Sequence, residues 1–413
     1  MAIIPTPLSR THVRLLVILA LINLVNFADR TVILPLFPVL RDEFTLSGTE
    51  LGGLQTVLQI VLSSATIPLA LLADRVNRTR IIAYGVLFWS VATFFTGLAA
   101  SYGLLLIARA LVGVGEAAYG PAAQSMISGA FPVTARARVQ AIFAAGMLIG
   151  GAVGQGLGGI VGDAVGWRPA FFVVGIPGLV LALTVLGLEE PPRGPKAELV
   201  PLGRLLRVPV YVALLGCGVL ITFSSIAFIT WGPDFVVRFK GFSLREAGIS
   251  LGTAGLISLV LGALVGGAVA DALQKRWAAG RVLAVGAGFL LAAPFAVWAL
   301  NAEEKAVVLF AFFIAAFFMS WYHGPVTAIL HDLTPPRAHA TVVGVYMFVT
   351  QLLGGTMGPL VVGTMDDLVS LRAGLKLALA VMVIGAVCFF GVAWLIHRRG
   401  LRHPLLQHDS AAL

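Results

Sequence analysis

The chain has 413 residues, of which 59% are hydrophobic and 11% charged, and its formal net charge is +9 at pH 7. Soluble globular proteins carry about 25% charged residues, so this composition excludes a soluble domain. Because a basic excess in a membrane protein is typical of its cytoplasmic loops, the charge does not indicate nucleic-acid binding.

Apolar runs long enough to cross a bilayer as helices recur along the whole chain, and their polarity does not alternate as it would in a transmembrane β-barrel. The sequence therefore predicts an all-α integral membrane protein. Twelve spans are predicted, at residues 13–38, 50–73, 81–99, 103–130, 139–163, 167–188, 210–233, 247–270, 282–300, 306–331, 340–365 and 373–397.

The longest polar break contains five prolines and divides the spans into six and six. We predict an N-terminal six-helix bundle at 1–188, a cytoplasmic linker at 189–209 with a short surface helix near 202–206, and a C-terminal six-helix bundle at 210–413. When the loops are sorted alternately, 18 Lys and Arg residues fall on the side of the termini and 8 on the other side. The positive-inside bias then predicts that both termini are cytoplasmic.

The two halves repeat short motifs in the same order. The motif "PLALLADRVNRTR" at 68–80 follows span 2, and "VGGAVADALQKR" at 265–276 follows span 8. Similarly, "FPVTARARV" at 131–139 corresponds in position to "TPPRAHATV" at 334–342. Parallel repeats of this kind are typical of transporters whose substrate site lies near the midplane between the repeats.

These motifs resemble those of the major facilitator superfamily. The segment "LLADRVNRTR" resembles its loop motif between spans 2 and 3, although Ala70, Asn77 and Thr79 depart from the usual residues, and "GGTMGPLVVG" resembles its glycine-proline helix motif. More narrowly, "NFADR", "LIARALVGVGEAAYGPAAQSMISGAFP" and "GWRPAFFVVGIPG" are similar to the spinster branch of sphingolipid and lysolipid transporters. The resemblance implies two pseudo-symmetric six-helix bundles and a lipid-like substrate.

Away from the span ends, four charged residues are predicted at membrane depth: Asp29, Arg30, Arg109 and Glu116. Each costs about 2.5–3.5 kcal/mol at a helix centre by insertion scales, so such residues normally pair or face a cavity. Adjacent residues point about 100° apart on a helix, so Asp29 and Arg30 cannot make the same contact. Arg109 and Glu116 lie roughly 10 Å apart along one helix face, which is too far for a direct pair.

Two of these charges suggest proton coupling. Desolvation favours the neutral form of a carboxyl in the membrane, so Glu116 is expected to take up a proton from one side and release it to the other, with Asp29 as a second candidate. Arg30, the residue after Asp29, is suited to bind an anionic head group, because a guanidinium group binds carboxylates and phosphates with paired hydrogen bonds. The alternative is that all four charges only hold the helices together.

Further candidates complete the predicted site. Glu116, Tyr119 and His323 are candidate substrate contacts. Tyr119 and His323 are also candidates for hydrogen bonding between helices. Arg109 is predicted to have a structural role. The residues predicted to gate the conformational change at the cytoplasmic end are Asp74, Arg75, Arg78 and Asp271.

Two other patterns have structural alternatives. The segment "GQGLGG" at 154–159 formally matches a dinucleotide-binding motif. That motif requires a strand before it, and the sequence predicts none here, so we predict that the segment serves helix packing. The predicted membrane charges all lie in the first half, whereas span 10 is rich in aromatic residues: Phe310, Phe312, Phe313, Phe317, Phe318 and Trp321. A cavity with one charged and one aromatic wall would suit an amphiphile; alternatively, these rings face lipid.

We therefore predict a proton-coupled secondary transporter that moves an amphiphilic, anionic, lipid-like substrate by alternating access, as a monomer in a bacterial inner membrane. The alternatives are a proton-coupled transporter of a small organic anion or drug, and a passive lipid facilitator. The sequence shows no nucleophile–base arrangement, phosphate loop, cofactor motif or metal motif, so neither an enzyme nor an ATP-driven pump is expected.

Overall fold

The fold is described from a computed structural model, which describes residues 9–73, 75–192, 202–334 and 338–399. Within these ranges the regular structure is helical, without strands. The helices are α1 (Arg10–Val32), α2 (Phe37–Phe44), α3 (Gly48–Ala73), α4 (Arg78–Gly97), α5 (Tyr102–Ala130), α6 (Val133–Val165), α7 (Trp167–Leu186), α8 (Leu202–Leu205), α9 (Pro209–Lys240), α10 (Leu244–Gln274), α11 (Gly280–Asn301), α12 (Lys305–Met319), α13 (His323–Leu333), α14 (His339–Val349), α15 (Thr356–Leu368) and α16 (Leu371–Arg399).

Twelve stretches within the described residues are long and apolar enough to cross a membrane, beginning with Arg10–Phe44 and ending with Leu371–Arg398. This confirms the predicted all-α membrane fold and its number of spans. The predicted surface helix is also present as α8. Span 7 is longer than predicted, because α9 continues through Pro233 to Lys240.

Three spans are interrupted without being broken. A 3₁₀ turn at Leu34–Leu36, with a proline near its start, joins α1 to α2. A second 3₁₀ turn at Ser320–Tyr322 joins α12 to α13, and a π-helical segment at Thr350–Gly355 joins α14 to α15. Such interruptions change the direction of the side chains that follow, and π-helical segments are frequent at functional sites.

A glycine repeat sets the packing of α6 against α1. Gly146, Gly150, Gly154 and Gly158 recur every four residues, and a Cβ on any of them would collide with α1. Small residues at this spacing let two membrane helices approach closely. Since two of the four lie in "GQGLGG", the structure confirms that this segment serves helix packing.

Contacts within the chain divide it into two compact units. Unit 1 comprises Met1–Phe44, Ile60–Pro195 and Ser243–Gly252. Unit 2 comprises Thr45–Gln59, Lys196–Phe242 and Thr253–Leu413. The first part of α3 therefore groups with helices of the second half, and the start of α10 with helices of the first half. The division into bundles at 1–188 and 210–413 stays a prediction.

In unit 1, α4 packs on both α5 and α7. Gly85 of α4 lies against Gly115 of α5, so that a Cβ on either glycine would meet the backbone oxygen of the other at 2.9 Å. Helix α1 packs mainly on α6 and also touches α5 and α7. This close packing brings polar side chains of α1, α4 and α5 within hydrogen-bonding distance of each other.

Candidate functional site

The four predicted membrane charges lie together in unit 1. Asp29 and Arg30 come from the last part of α1, and Arg109 and Glu116 come from α5. Thr93 of α4 adds a hydroxyl. We call these five residues the deep cluster.

The first ion pair of the deep cluster joins Arg30 to Glu116. The Arg30 Nε donates to Glu116 Oε2 at 2.7 Å. The Glu116 side chain is fully buried, whereas that of Arg30 is 21% exposed and lies over the Phe27 ring at 4.8 Å. The other carboxylate oxygen of Glu116, Oε1, is buried and has no hydrogen-bond partner among the described residues. The pair thus combines a reachable cation with an incompletely satisfied carboxyl.

The second ion pair is sealed inside the helices. Arg109 Nη1 lies 3.5 Å from Asp29 Oδ1 and 3.5 Å from the Asp29 carbonyl oxygen. The Thr93 hydroxyl donates to the other carboxylate oxygen of Asp29. The side chains of Asp29 and Arg109 are 1% and 0% exposed. Arg109 still keeps two nitrogens, Nε and Nη2, without a hydrogen-bond partner among the described residues.

The two pairs divide the predicted charges as helix geometry requires. Adjacent residues of α1 point in different directions, so Asp29 reaches Arg109 and Arg30 reaches Glu116. Arg109 and Glu116 each pair with α1 and not with each other. Two cations balance two carboxylates, and removing one buried partner leaves an uncompensated charge. Protonation or an anionic ligand at this cluster would therefore change its balance.

Tyr119 lies three residues beyond Glu116 and is buried. Its hydroxyl donates to the Leu19 carbonyl at 2.5 Å, and its ring packs edge-to-face on Trp89 at 5.9 Å. The hydroxyl is therefore already used to tie α5 to α1. A substrate contact by Tyr119 stays a prediction.

His323 belongs to unit 2, whereas the deep cluster belongs to unit 1. It is the first residue of α13, directly after the 3₁₀ turn, and its side chain is exposed. Its ring centroid lies 5.6 Å from that of Tyr322, whose hydroxyl forms a 3.0 Å hydrogen bond with the hydroxyl of Tyr346. A role of His323 in substrate binding stays a prediction.

The aromatic residues of span 10 pack partly among themselves. The Phe318 ring lies 5.2 Å from that of Phe317 and 5.4 Å from that of Trp321. Trp321 is buried and fills space that Gly266 and Gly288 leave open. At least this tryptophan serves helix packing, so an aromatic cavity wall stays a prediction.

Arg78 is the best-anchored residue of the predicted gating group. Its buried side chain donates from Nε to Glu190 Oε1 at 2.9 Å and from Nη1 to Ser125 Oγ at 2.9 Å. Its Nη2 donates to the Pro191 carbonyl. Arg78 thus fixes the start of the linker to α4 and α5.

The other predicted gating residues differ in their surroundings. Arg75 is exposed, and Asp74 lies outside the described residues. Asp271 accepts from Arg281 Nη2 at 3.0 Å, and Arg281 Nη1 also lies 2.5 Å from Asp332 Oδ2. The side chain of Asp271 is 64% exposed, that of Arg281 23% and that of Asp332 38%.

The sequence analysis missed the buried charge of Asp234. Asp234 is fully buried in α9 and pairs with Arg238, whose Nη1 lies 3.1 Å from Asp234 Oδ2. The predicted span 7 ends at residue 233, one residue before Asp234. The spacing of four residues between Asp234 and Arg238, which places both on one helix face, was the available signal. The predicted confinement of membrane charges to the first half was therefore too narrow.

The family model described as Major Facilitator Superfamily matches residues 19–359. Among curated proteins, the chain is similar to an MFS-type efflux pump of Mycolicibacterium smegmatis, with 27% identity over 90% of each chain. It is also similar to protein spinster homolog 1 of Mus musculus, with 28% identity over 98% of this chain and 86% of the mouse protein.

A solved structure shows the same fold. It is the crystal structure of a bacterial homologue of the human lysosomal transporter Spinster, in an inward-facing and occupied conformation. The TM-score is 0.85 at 27% identity, over 94% of this chain and 97% of the bacterial one.

Proposed function

Since the chain belongs to the Major Facilitator Superfamily, we propose that it moves an amphiphilic, anionic, lipid-like substrate by alternating access, with coupling to protons. That it is an integral multi-pass membrane transporter of the spinster type, and not an enzyme, follows from the family and the fold. The lipid class of the substrate and the use of protons are the added proposals. The resemblance to spinster proteins supports the first.

The observation that carries the proposal is the pair of Arg30 with Glu116. Arg30 is the partly exposed member of the deep cluster, so an anionic head group can reach it. Such a head group would compete with Glu116 for the same guanidinium. If Glu116 takes up a proton, it releases Arg30 for the ligand.

This competition links the substrate to the proton. A ligand that binds Arg30 better when Glu116 is neutral must, by reciprocity, favour proton uptake by Glu116. Glu116 Oε1, which is buried without a hydrogen-bond partner among the described residues, supports this proposal, because burial costs a neutral carboxyl less free energy than a charged one. Asp29 is the alternative proton carrier, although the Thr93 hydroxyl and Arg109 already satisfy it.

Uptake into proteoliposomes tests the function. We expect labelled lysolipid to accumulate when a pH gradient is imposed and to stop accumulating when an ionophore dissipates it. A small organic acid of equal charge should accumulate far less. Transport of the lysolipid that ignores the gradient would instead indicate a passive lipid facilitator.

Drug efflux is the second candidate. It is favoured by the similarity to the MFS-type efflux pump, which covers 90% of this chain. Cells that express the protein would then retain less of an amphiphilic drug than cells that express Glu116→Gln. Drug export without lysolipid transport would decide for this candidate.

We propose that both termini are cytoplasmic in a bacterial inner membrane and that the protein works as a monomer. The count of 18 against 8 basic residues supports this orientation. Reporter fusions at Leu413 and between Arg238 and Arg245 test it. A periplasmic reporter signal at Leu413 would overturn the orientation.

A further inference from the structure

A second polar cluster lies at the membrane face opposite the termini, which the proposed orientation makes the outer face. It consists of Asp234 and Arg238 near the end of α9, and Asp366 and Asp367 near the end of α15. We call these four residues the aspartate latch. All of them, together with the start of α3 that they contact, belong to unit 2.

Asp367 closes the N-terminus of α3. Its carboxylate accepts from the backbone N–H of Gly48 at 2.5 Å and from that of Thr49 at 2.8 Å. The Thr49 hydroxyl donates to the same carboxylate at 2.6 Å. The first N–H groups of a helix have no partner within the helix, and a carboxylate there also interacts favourably with the helix dipole. Here the capping carboxylate comes from a residue 319 positions along the chain.

The neighbouring aspartate holds α15 on the other side. Arg238 Nη1 lies 2.8 Å from Asp366 Oδ2 and 3.1 Å from Asp234 Oδ2. The side chains of Asp234 and Asp366 are 0% and 4% exposed. The two consecutive aspartates thus tie α15 to α9 and to α3 at the same level.

Below the cap, α3 and α15 touch along their backbones. Gly48 lies against Gly363, and Gly52 lies against Pro359, so that a Cβ on either Gly48 or Gly52 would collide with α15. Further along, the Thr56 hydroxyl donates to the Thr356 carbonyl at 2.8 Å. Span 2 comes from the first half of the sequence and span 11 from the second half. A path opening at this face between the halves must part these contacts.

We propose that Asp367 is the catch of an outer gate: its capping bond to α3 holds spans 2 and 11 together, and the bond is released each time the transporter opens to the outer face. This inference rests on the alternating access in the proposed function but not on the identity of the substrate. The catch uses backbone N–H groups, which cannot lose their protons or move to another side chain. Because these donors are fixed to the start of α3, separation of α3 from α15 breaks the contact.

A cross-link tests whether the separation is required. Thr49 Oγ1 lies 3.2 Å from Thr364 Oγ1, so cysteines at these two positions are close enough to form a disulfide. The variant Thr49→Cys/Thr364→Cys is made with Cys217→Ala and Cys388→Ala and reconstituted in proteoliposomes. Copper phenanthroline takes two electrons from the two thiols, which lose two protons as the S–S bond forms.

The readout is a reporter cysteine that the gate covers. Thr56 is 7% exposed, so Thr56→Cys should react slowly with a membrane-impermeant maleimide added at the outer face. The reporter is measured in two proteins that lack the cross-linking cysteines, one with Asp367 and one with Asp367→Ala. We expect Asp367→Ala to raise the labelling rate about fivefold. The substitution removes a helix cap that only the closed state has, and it therefore destabilises the closed state relative to the open one.

The control is Glu303→Gln, an exposed carboxylate in another loop of the same face. Its labelling rate should equal that of the parent. If Asp367→Ala fails to fold, Asp367→Asn keeps one acceptor oxygen and should give a smaller rise in the same direction. An unchanged labelling rate in a folded Asp367 variant would overturn the proposal that Asp367 holds the outer gate closed.

The cross-linked protein gives the second decision. We expect oxidation to stop substrate transport and dithiothreitol to restore it. If fully cross-linked protein transported as fast as the dithiothreitol-treated protein, the proposal would be overturned, because spans 2 and 11 would then stay together throughout the cycle. If the protein does not transport lysolipid, the proposed substrate is wrong, but the labelling experiment still tests the role of Asp367.

Discussion

The deep cluster and the aspartate latch solve the problem of charge in an apolar helix bundle in different ways. The deep cluster matches two arginines with two carboxylates, and buried polar atoms on Glu116 and Arg109 stay without partners among the described residues. The latch sets three aspartates against one arginine: Arg238 pairs with Asp234 and Asp366, and backbone N–H groups at the start of α3 donate to Asp367. One cluster is balanced by side chains, and the other partly by the backbone.

This difference indicates different work. A side-chain pair can be changed by a proton or by a ligand that takes over one partner, as we propose for Arg30 and Glu116. The backbone N–H donors to Asp367 are fixed to the start of α3, so this contact depends on the position of α3. The deep cluster is thus suited to respond to a proton or a ligand, and the latch to respond to a movement of α3. Experiments that alter one kind of partner at a time can break or sharpen this comparison.

The largest effect is expected for Glu116→Gln. Glutamine keeps the size and a hydrogen-bonding oxygen but cannot exchange a proton, so proton-driven accumulation should fall to the level of protein-free liposomes. Binding and exchange of substrate should persist, and binding should lose its dependence on pH. Asp29→Asn, measured in parallel by uptake and equilibrium binding, shows whether the other carboxylate carries the proton. Accumulation by Glu116→Gln at the wild-type rate would mean that the carboxyl is structural.

Arg30→Ala should weaken the binding of anionic ligands by more than tenfold and leave neutral ligands of equal apolar bulk nearly unaffected. Removing one partner of a fully buried pair costs roughly 3–5 kcal/mol, and the loss should be smaller here because Arg30 is 21% exposed. Binding isotherms for a lysolipid with an anionic head group and for a monoacylglycerol provide the comparison. An equal loss for both ligands would show that Arg30 only supports the fold.

The sequence predicts the spans well and the contacts poorly, for physical reasons. Length and apolarity determine whether a helix can cross the bilayer, and these are local properties, so the twelve spans are predictable. The partner of Arg30 lies 86 residues away and that of Asp29 lies 80 residues away. Helix geometry requires the two side chains to diverge but does not choose their partners.

Asp234 shows a second limit of local patterns. Proline inside a helix leaves a backbone group without its helical partner and often ends the helix, and the predicted span 7 ends at Pro233. Within a bundle, neighbouring helices can satisfy the groups that proline leaves free, so α9 continues to Lys240. The predicted bound at residue 233 therefore left the buried carboxylate of Asp234 just outside the span, whereas the structure places it inside α9.

Thr93→Val should have an intermediate effect. Valine keeps the shape but removes the hydroxyl that donates to Asp29. A hydrogen bond to a charged group contributes about 1.5–3 kcal/mol, so we expect the free energy of unfolding to fall by about that amount. Thr66→Val is the matched control, since its hydroxyl donates to the Leu62 carbonyl in the turn before it and not to a carboxylate among the described residues. Steric-trap or thermal unfolding in bicelles measures both, and equal losses would argue against a stabilising role for the Thr93–Asp29 bond.

The smallest effect is expected for Arg281→Gln, which tests whether exposed charges matter as buried ones do. Its partners Asp271 and Asp332 are 64% and 38% exposed, and exposed ion pairs contribute about 0–1 kcal/mol because water solvates the separated charges almost as well. The free energy of unfolding should therefore fall by less than about 1 kcal/mol. Arg78→Gln is the contrast: that arginine is buried with three acceptors, and its loss should cost several times more. Equal losses in both variants would mean that burial does not separate the two arginines. A slower transport rate in Arg281→Gln with unchanged stability and affinity would instead support the predicted gating role of Asp271, because a gate biases two conformations without touching the substrate.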